Sequence, residues 1–273
     1  MGRIATVAML VWSTATCSIG WAQWLNYKTP GVPRLPDGKV NLSAPTPRAA
    51  DRHPDLSGVW QLEPSPCNAG SIQGCGGDYE GGPEFGNIGS RLPGGLPYQP
   101  WAAELVRNLA PGQGKDDPVA LCKPSGALRL LTFPPYRKII QTPGEIVLLS
   151  ERDVTYRQIF TDGRSLPEDP SPSWNGYSVG KWQGDVLVVE SVGFRDGTWL
   201  DRRGSPMTEA AKMTERYRRR SFGALDVEVT IDDPKAYTKP WTVTLHQLLV
   251  PDTELLDYFC NDNEKDNAHV VGK

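Results

Sequence analysis

The chain has 273 residues, 38% of them hydrophobic and 22% charged, with a formal charge of −3. That length is sufficient for a hydrophobic core within one large domain. The mildly acidic balance, with no basic run except Arg216 to Arg220, argues against nucleic acid as a partner.

At the amino end, Arg3, an apolar run from Ile4 to Trp12 and a stretch ending Gly20-Trp21-Ala22 have the layout of a cleavable secretory leader. Cleavage is expected after Ala22 and a periplasmic or secreted location follows. The apolar run is far shorter than the ~20 residues of a membrane-spanning helix, and no later stretch approaches that length, so no membrane span is expected. Cys17 fits a lipid-anchor signal poorly, because Thr16 is bulkier than the small residue that signal carries before its cysteine. Loss of Arg3 with the leader leaves 28 basic against 32 acidic residues, a charge of −4.

Four cysteines then remain: Cys67, Cys75, Cys122 and Cys260. An even number in an oxidising compartment favours two disulfides, and no pair has the two-residue spacing that lets neighbouring thiolates share a zinc ion. Three pairings are possible. Cys67 with Cys75 is favoured by the short glycine-containing segment between them, and Cys122 with Cys260 would tie the chain's end to its middle, contributing about 4 kcal/mol.

Residues 23–54 are rich in proline (Pro30, Pro33, Pro36, Pro45, Pro47, Pro54) and read as an extended arm, because proline withholds backbone donors. Residues 63–99 are dominated by glycine and proline and read as an irregular loop. Pro100 to Leu109 reads as a short helix, with Pro100 in its first turn and Ala102, Leu105, Val106 and Leu109 on one face. From Leu128 onward the pattern is that of an antiparallel sheet. Strands are expected at 56–62, 137–142, 145–151, 154–160, 177–182, 185–191, 213–220, 224–231, 241–250 and 254–260. Most are joined by turn dipeptides such as Pro143-Gly144, Asp162-Gly163 and Gln183-Gly184. About ten strands in series must close or stack to protect their edges and bury one face. A closed barrel is preferred over a two-sheet sandwich, giving a single β domain over 55–265 and a tail at 266–273. The segment Asp55-Leu56-Ser57-Gly58-Val59-Trp60 resembles the opening strand of lipocalin-like and avidin-like barrels.

Over roughly residues 54–265 the chain also resembles an uncharacterised family of exported bacterial proteins. The resemblance lies in Ser178-Val179-Gly180-Lys181-Trp182-Gln183-Gly184-Asp185-Val186-Leu187-Val188-Val189-Glu190, in Gly193-Phe194-Arg195-Asp196-Gly197-Thr198-Trp199-Leu200-Asp201 and in Thr230-Ile231-Asp232-Asp233-Pro234. It implies an envelope location and carries no catalytic assignment.

No phosphate loop, dinucleotide fingerprint, nucleophile elbow or HExxH pattern is present, which argues against the common hydrolase and nucleotide-dependent classes. No cofactor is expected. A three-histidine metal centre would need His53, His246 and His269 together, one in the arm and one near the tail, so no metal site is expected either. His246 alternates with Trp241, Val243 and Leu245; if its face lines a lumen it can exchange protons with a ligand, and otherwise it is a surface or hydrogen-bonded histidine. Glu215 shares a face with Tyr217 and Met213. It is either a carboxylate perturbed by apolar neighbours or, the favoured reading, the partner of an arginine such as Arg157 or Arg218.

Alternation splits Arg216, Arg218, Arg219 and Arg220 between two faces, so a solvated strand is favoured over an anion site. Asp196, Asp201, Asp232 and Asp233 read as turn formers. Trp60, Tyr156, Trp182, Trp199, Tyr217 and Trp241 are candidates to line a pocket for a flat ligand, with core packing the equal alternative. Three functions follow: a barrel binding a small hydrophobic or aromatic molecule in its lumen; an isomerase, hydratase or lyase using His246 and Glu215; or a partner-binding envelope protein. The last predicts a filled barrel with an apolar patch outside it.

Overall fold

The computed structural model describes residues 28–63, 83–112 and 114–260. The expectations for the leader, Cys17, the Cys67–Cys75 bridge, His269 and the tail lie outside them. In chain order the elements are β1 (Gly58–Leu62), α1 (Pro83–Gly86), α2 (Pro100–Leu109), α3 (Ala127–Thr132), β2 (Arg137–Thr142), β3 (Glu145–Ser150) and β4 (Tyr156–Phe160). They continue with β5 (Tyr177–Gln183), β6 (Val186–Val192), β7 (Thr198–Trp199), β8 (Pro206–Met207), β9 (Lys212–Ser221), β10 (Ala224–Asp232) and β11 (Trp241–Leu249).

Nine strands close into a barrel in the order β1-β11-β10-β9-β6-β5-β4-β3-β2, and β7 pairs only with β8. Closure falls on β1, where Trp60 lies opposite Leu249 on one side and Arg137 on the other. Two expectations are corrected. The chain after Asp162-Gly163 does not form a hairpin, because a 16-residue crossover carrying Pro167, Pro170 and Pro172 delivers β5 parallel to β4. Nor is 254–260 a strand: β11 already has β1 and β10 on its two edges, so the closed sheet offers no place for a tenth. Tyr258 makes a single bridge with Arg152 instead.

The period-two pattern becomes an interior and an exterior. Leu225, Val227, Val229 and Ile231 of β10 face inward, together with Trp241, Val243, Leu245, Gln247 and Leu249 of β11. Inward side chains of eight of the nine strands join one core cluster that also takes in α3, and Trp182 of β5 packs against it. All six residues of α3 are buried, and the helix plugs one end of the barrel. Arg137 terminates it by donating to the carbonyls of Leu131 and Phe133, while Gln247 donates to Leu131 O at 3.0 Å and accepts from Arg137 at 2.7 Å. Burial pushes the Arg137 guanidinium down to about 9, outweighing the opposing pull of the Glu151 charge.

The opposite end is covered by the proline-rich arm, which carries only isolated bridges, Arg34 with Val40 and Arg48 with Pro54. Arg34 pairs with Asp252 at 2.7 Å and Arg48 with Asp185 at 2.5 Å. Phe222 N and Gly223 N donate to Ala44 O and Leu42 O at 2.8 Å. A Cβ on Gly223 would meet Leu42 Cβ at 2.5 Å, so only glycine permits this approach.

Three tyrosines, Tyr217 and Tyr237 buried and Tyr98 half-buried, have satisfied hydroxyls. Tyr98 bonds Ser205 Oγ at 2.7 Å, Tyr237 donates to Pro206 O at 2.8 Å and Tyr217 donates to Glu215 at 2.8 Å. Burial raises all three phenols, Tyr98 to about 12 and the other two well above their ordinary value. The neutral phenol is the form favoured by folding, so the stability these groups contribute is complete below about pH 10 and is lost as the pH rises through the folded values. A spectrophotometric tyrosinate titration is expected to show three tyrosines ionising only with alkaline unfolding. Normal titration of every tyrosine in the folded protein would contradict the packing.

Candidate functional site

Inside the barrel, inward positions on four strands bring together Arg157 (β4), Ser178 (β5), Ser191 (β6) and Glu215 with Tyr217 (β9). Arg157 Nη1 and Nη2 reach Glu215 Oε1 and Oε2 at 2.9 and 2.5 Å, while Nε donates to Ser178 Oγ at 3.2 Å and Nη2 to Ser191 Oγ at 2.9 Å. Burial alone would lower the guanidinium's proton affinity, but the charge and hydrogen bonds of Glu215 outweigh it and the net shift is upward. Glu215 is fully buried, so the arginine pairing weighed above is the arrangement found, and its partner is Arg157 rather than Arg218.

His246 points the other way. It lies opposite Asp226 on the outer face of β10 and β11, with Nδ1 at 2.6 Å from Asp226 Oδ1, and Arg220 Nε holds Asp226 Oδ2 at 2.8 Å. The barrel wall therefore separates His246 from Glu215, because they occupy opposite phases of the alternation. Replacing His246 by alanine removes only a solvent-screened contact. The variant is expected to lose under about 1 kcal/mol in urea unfolding, and a larger loss would place the ring in the core.

The aromatic candidates disperse as well. Trp60, Tyr217 and Trp241 belong to the core cluster. Trp182 packs half-buried against that cluster and stacks on His53 of the arm, with centroids 4.7 Å apart and planes 2° apart. Trp199 is half-buried on β7, outside the barrel, and Tyr156 is 61% exposed. Arg219 points inward over the Trp60 ring at 4.9 Å, and burial lowers its guanidinium to about 10. Arg216, Arg218 and Arg220 point outward. Asp201 and Asp233 are buried turn formers, Asp201 accepting from Ile88 N and Ser205 Oγ and Asp233 from Thr208 N and Oγ1. Among the described residues no group of three or more His, Cys, Asp or Glu side chains is placed to hold a metal ion, and no helix is long and apolar enough to cross a membrane.

Two exterior features at the α3 end were not anticipated. The first is an apolar seam around the Cys122–Cys260 disulfide, which is present as expected. Here Asp153 N donates to Tyr258 O at 2.7 Å and Tyr258 N to Glu151 O at 3.1 Å, laying the chain's last described residues along the β3–β4 turn. Six large apolar side chains remain exposed there: Leu121 (61%), Val154 (53%), Tyr156, Leu256, Tyr258 and Phe259. Asp153 and Val154 both have positive φ, 56° and 48°. For a β-branched residue that conformation costs on the order of 1–2 kcal/mol, and such outliers gather at functional surfaces.

The second is a half-open groove of about 540 Å³ between the β4–β5 crossover, the end of β6 and the start of β9. Pro167, Pro170, Val192 and Phe194 form its apolar lining, and Glu168, Asp169, Glu190 and Glu209 stand around it with Lys212. Glu209 is held down to about 2 by a hydrogen bond with Asp196 and by Lys235, and Asp196 is raised by the same contact. The groove and the seam are neighbours: Asn175 Nδ2 donates to Tyr156 O at 2.9 Å, and Ser173 N donates to Gly193 O at 3.0 Å. The one sequence signal for the groove was the Phe160 to Tyr177 interval, too long for a hairpin. For the seam there was none, since exposure of single apolar residues follows from the assembled fold.

No family model matches the chain, and no curated protein matches it.

Proposed function

We propose that this chain is an exported binding protein that engages a partner protein with the outside of its barrel, at the seam beside Cys122–Cys260. The observation that carries the reading is a pair of facts about burial: the interior is occupied by its own side chains, while six large apolar ones stand exposed along one seam. A closed barrel is compatible with a lumen ligand. To admit a small hydrophobic or aromatic molecule, however, it would have to displace a side chain such as Trp60, Tyr217 or Trp241, and emptying an aromatic site in a core costs about 3–5 kcal/mol. The proton-transfer reading requires His246 and Glu215 in one cavity, and the wall lies between them. Export is supported by the long-range disulfide, which persists in oxidising compartments.

The test is native mass spectrometry of the mature protein purified from its own source, comparing intact and denatured masses. A retained protein chain, lost on replacing Val154, Tyr156 and Tyr258 by serine without change in melting temperature, is the expected result. A retained small molecule would instead restore the lumen reading, and retention of the chain by the serine variant would overturn the seam.

A further inference from the structure

Resting on that reading, we infer that the groove beside the seam receives a lysine or arginine side chain of the docked partner. The groove is pre-formed. A Cβ on Gly193 would meet Pro170 Cγ at 2.5 Å and one on Gly176 would meet Val192 O at 2.8 Å, so the crossover packs against β6 as closely as backbone allows. Both glycines have positive φ, 72° and 65°, and the crossover is tied to β6 by Ser173 N to Gly193 O and Arg195 N to Ser173 O at 3.0 and 2.9 Å. Its volume of about 540 Å³ lies within the roughly 300–1,000 Å³ of sites that take up discrete ligand groups.

Its chemistry selects the occupant. An apolar lining ringed by carboxylates matches a side chain with an aliphatic stem and a cationic head. Glu209 is already paired with the nearby Lys235, which leaves three carboxylates, Glu168, Asp169 and Glu190, facing one lining ammonium, Lys212. A neutral or anionic side chain would leave that negative rim uncompensated, whereas lysine or arginine places its charge among the carboxylates and its methylenes against Pro167, Pro170 and Val192. The position also fits, since the crossover residues Ser173 and Asn175 bridge the two features, Ser173 bonding Gly193 of the groove and Asn175 bonding Tyr156 of the seam.

The probes are n-butylammonium and n-butylguanidinium, with n-butanol and butyrate as controls, added to the ¹⁵N-labelled protein. The expected result is that amides of Glu190, Val192, Gly193 and Ala210 shift with both cations below about 50 mM and with neither control. A Glu168→Gln/Glu190→Gln variant, whose replaced side chains are exposed, is expected to bind the cations at least about five-fold more weakly. Added salt should weaken wild-type binding in the same direction. Equal shifts with butanol would make the groove a merely apolar slot, and silence of these amides, or shifts spread over other acidic surfaces, would equally overturn the inference. Because the probes need no partner, such failure rejects the groove's role alone, whereas partner retention by the seam variant rejects the docking reading alone.

Discussion

Replacing Glu215 by alanine is expected to destabilise the protein by about 3–5 kcal/mol, measured by urea unfolding. The carboxylate is fully buried, accepts both terminal nitrogens of Arg157 and takes the Tyr217 hydroxyl besides. Its loss leaves a guanidinium with no counter-charge in a space that admits no water shell, which costs far more than the bond itself is worth. Against a typical domain stability of about 5–15 kcal/mol, that change removes a third or more of the margin. The paired variant Arg157→Met/Glu215→Leu should recover most of the loss, because two apolar side chains of similar volume need no compensation. If the single variant costs under about 1 kcal/mol, or the pair is no better than the single change, the pair is not sealed in the core and the filled-lumen argument fails.

The second large effect is expected from the Cys122–Cys260 bridge. It spans 138 positions, and in the chain-entropy view closing so long a loop stabilises the fold by about 4–5 kcal/mol. The double variant Cys122→Ser/Cys260→Ser removes it without leaving a lone thiol, so urea unfolding with and without reductant isolates this bridge from any other. The variant is expected to unfold at much lower urea and to lose the Asp153 N to Tyr258 O contact, read as faster amide exchange at Asp153. Unchanged exchange there, with unchanged stability, would mean that the hydrogen bonds of the seam suffice without the covalent link.

All nine barrel strands are legible within two residues at each end, since alternating apolar runs bounded by Pro-Gly, Gln-Gly or Phe-Gly are local signals. The pattern places the start of β4 at Val154, and the strand begins at Tyr156. The turn before it uses Asp153 and Val154 at positive φ, which their residue types do not advertise. The helix at Pro100–Leu109 was equally readable, with Pro100 starting it and Ala102 and Val106 buried on one face. The plug α3 was not, because Ala127 to Thr132 is mostly apolar but too short to show a period, and a short apolar run is ambiguous between buried helix and buried strand.

For the candidate site, the pairing of Glu215 with an arginine was foreseen as a class and its partner named among two. His246 was assigned to a face correctly relative to Trp241, Val243 and Leu245, yet whether that face lined the lumen was open. Local order therefore determined strand positions, turn chemistry and which residues share a face, because a period of two is a property of the backbone itself. Tertiary structure alone decided which face turned inward, that β4 and β5 run parallel, that α3 and the arm seal the two ends, and that apolar residues from 121, 154–156 and 256–259 meet at one seam. Each of these depends on contacts between residues far apart in the chain, and the free energy that selects them is released only when the barrel closes and its interior loses water.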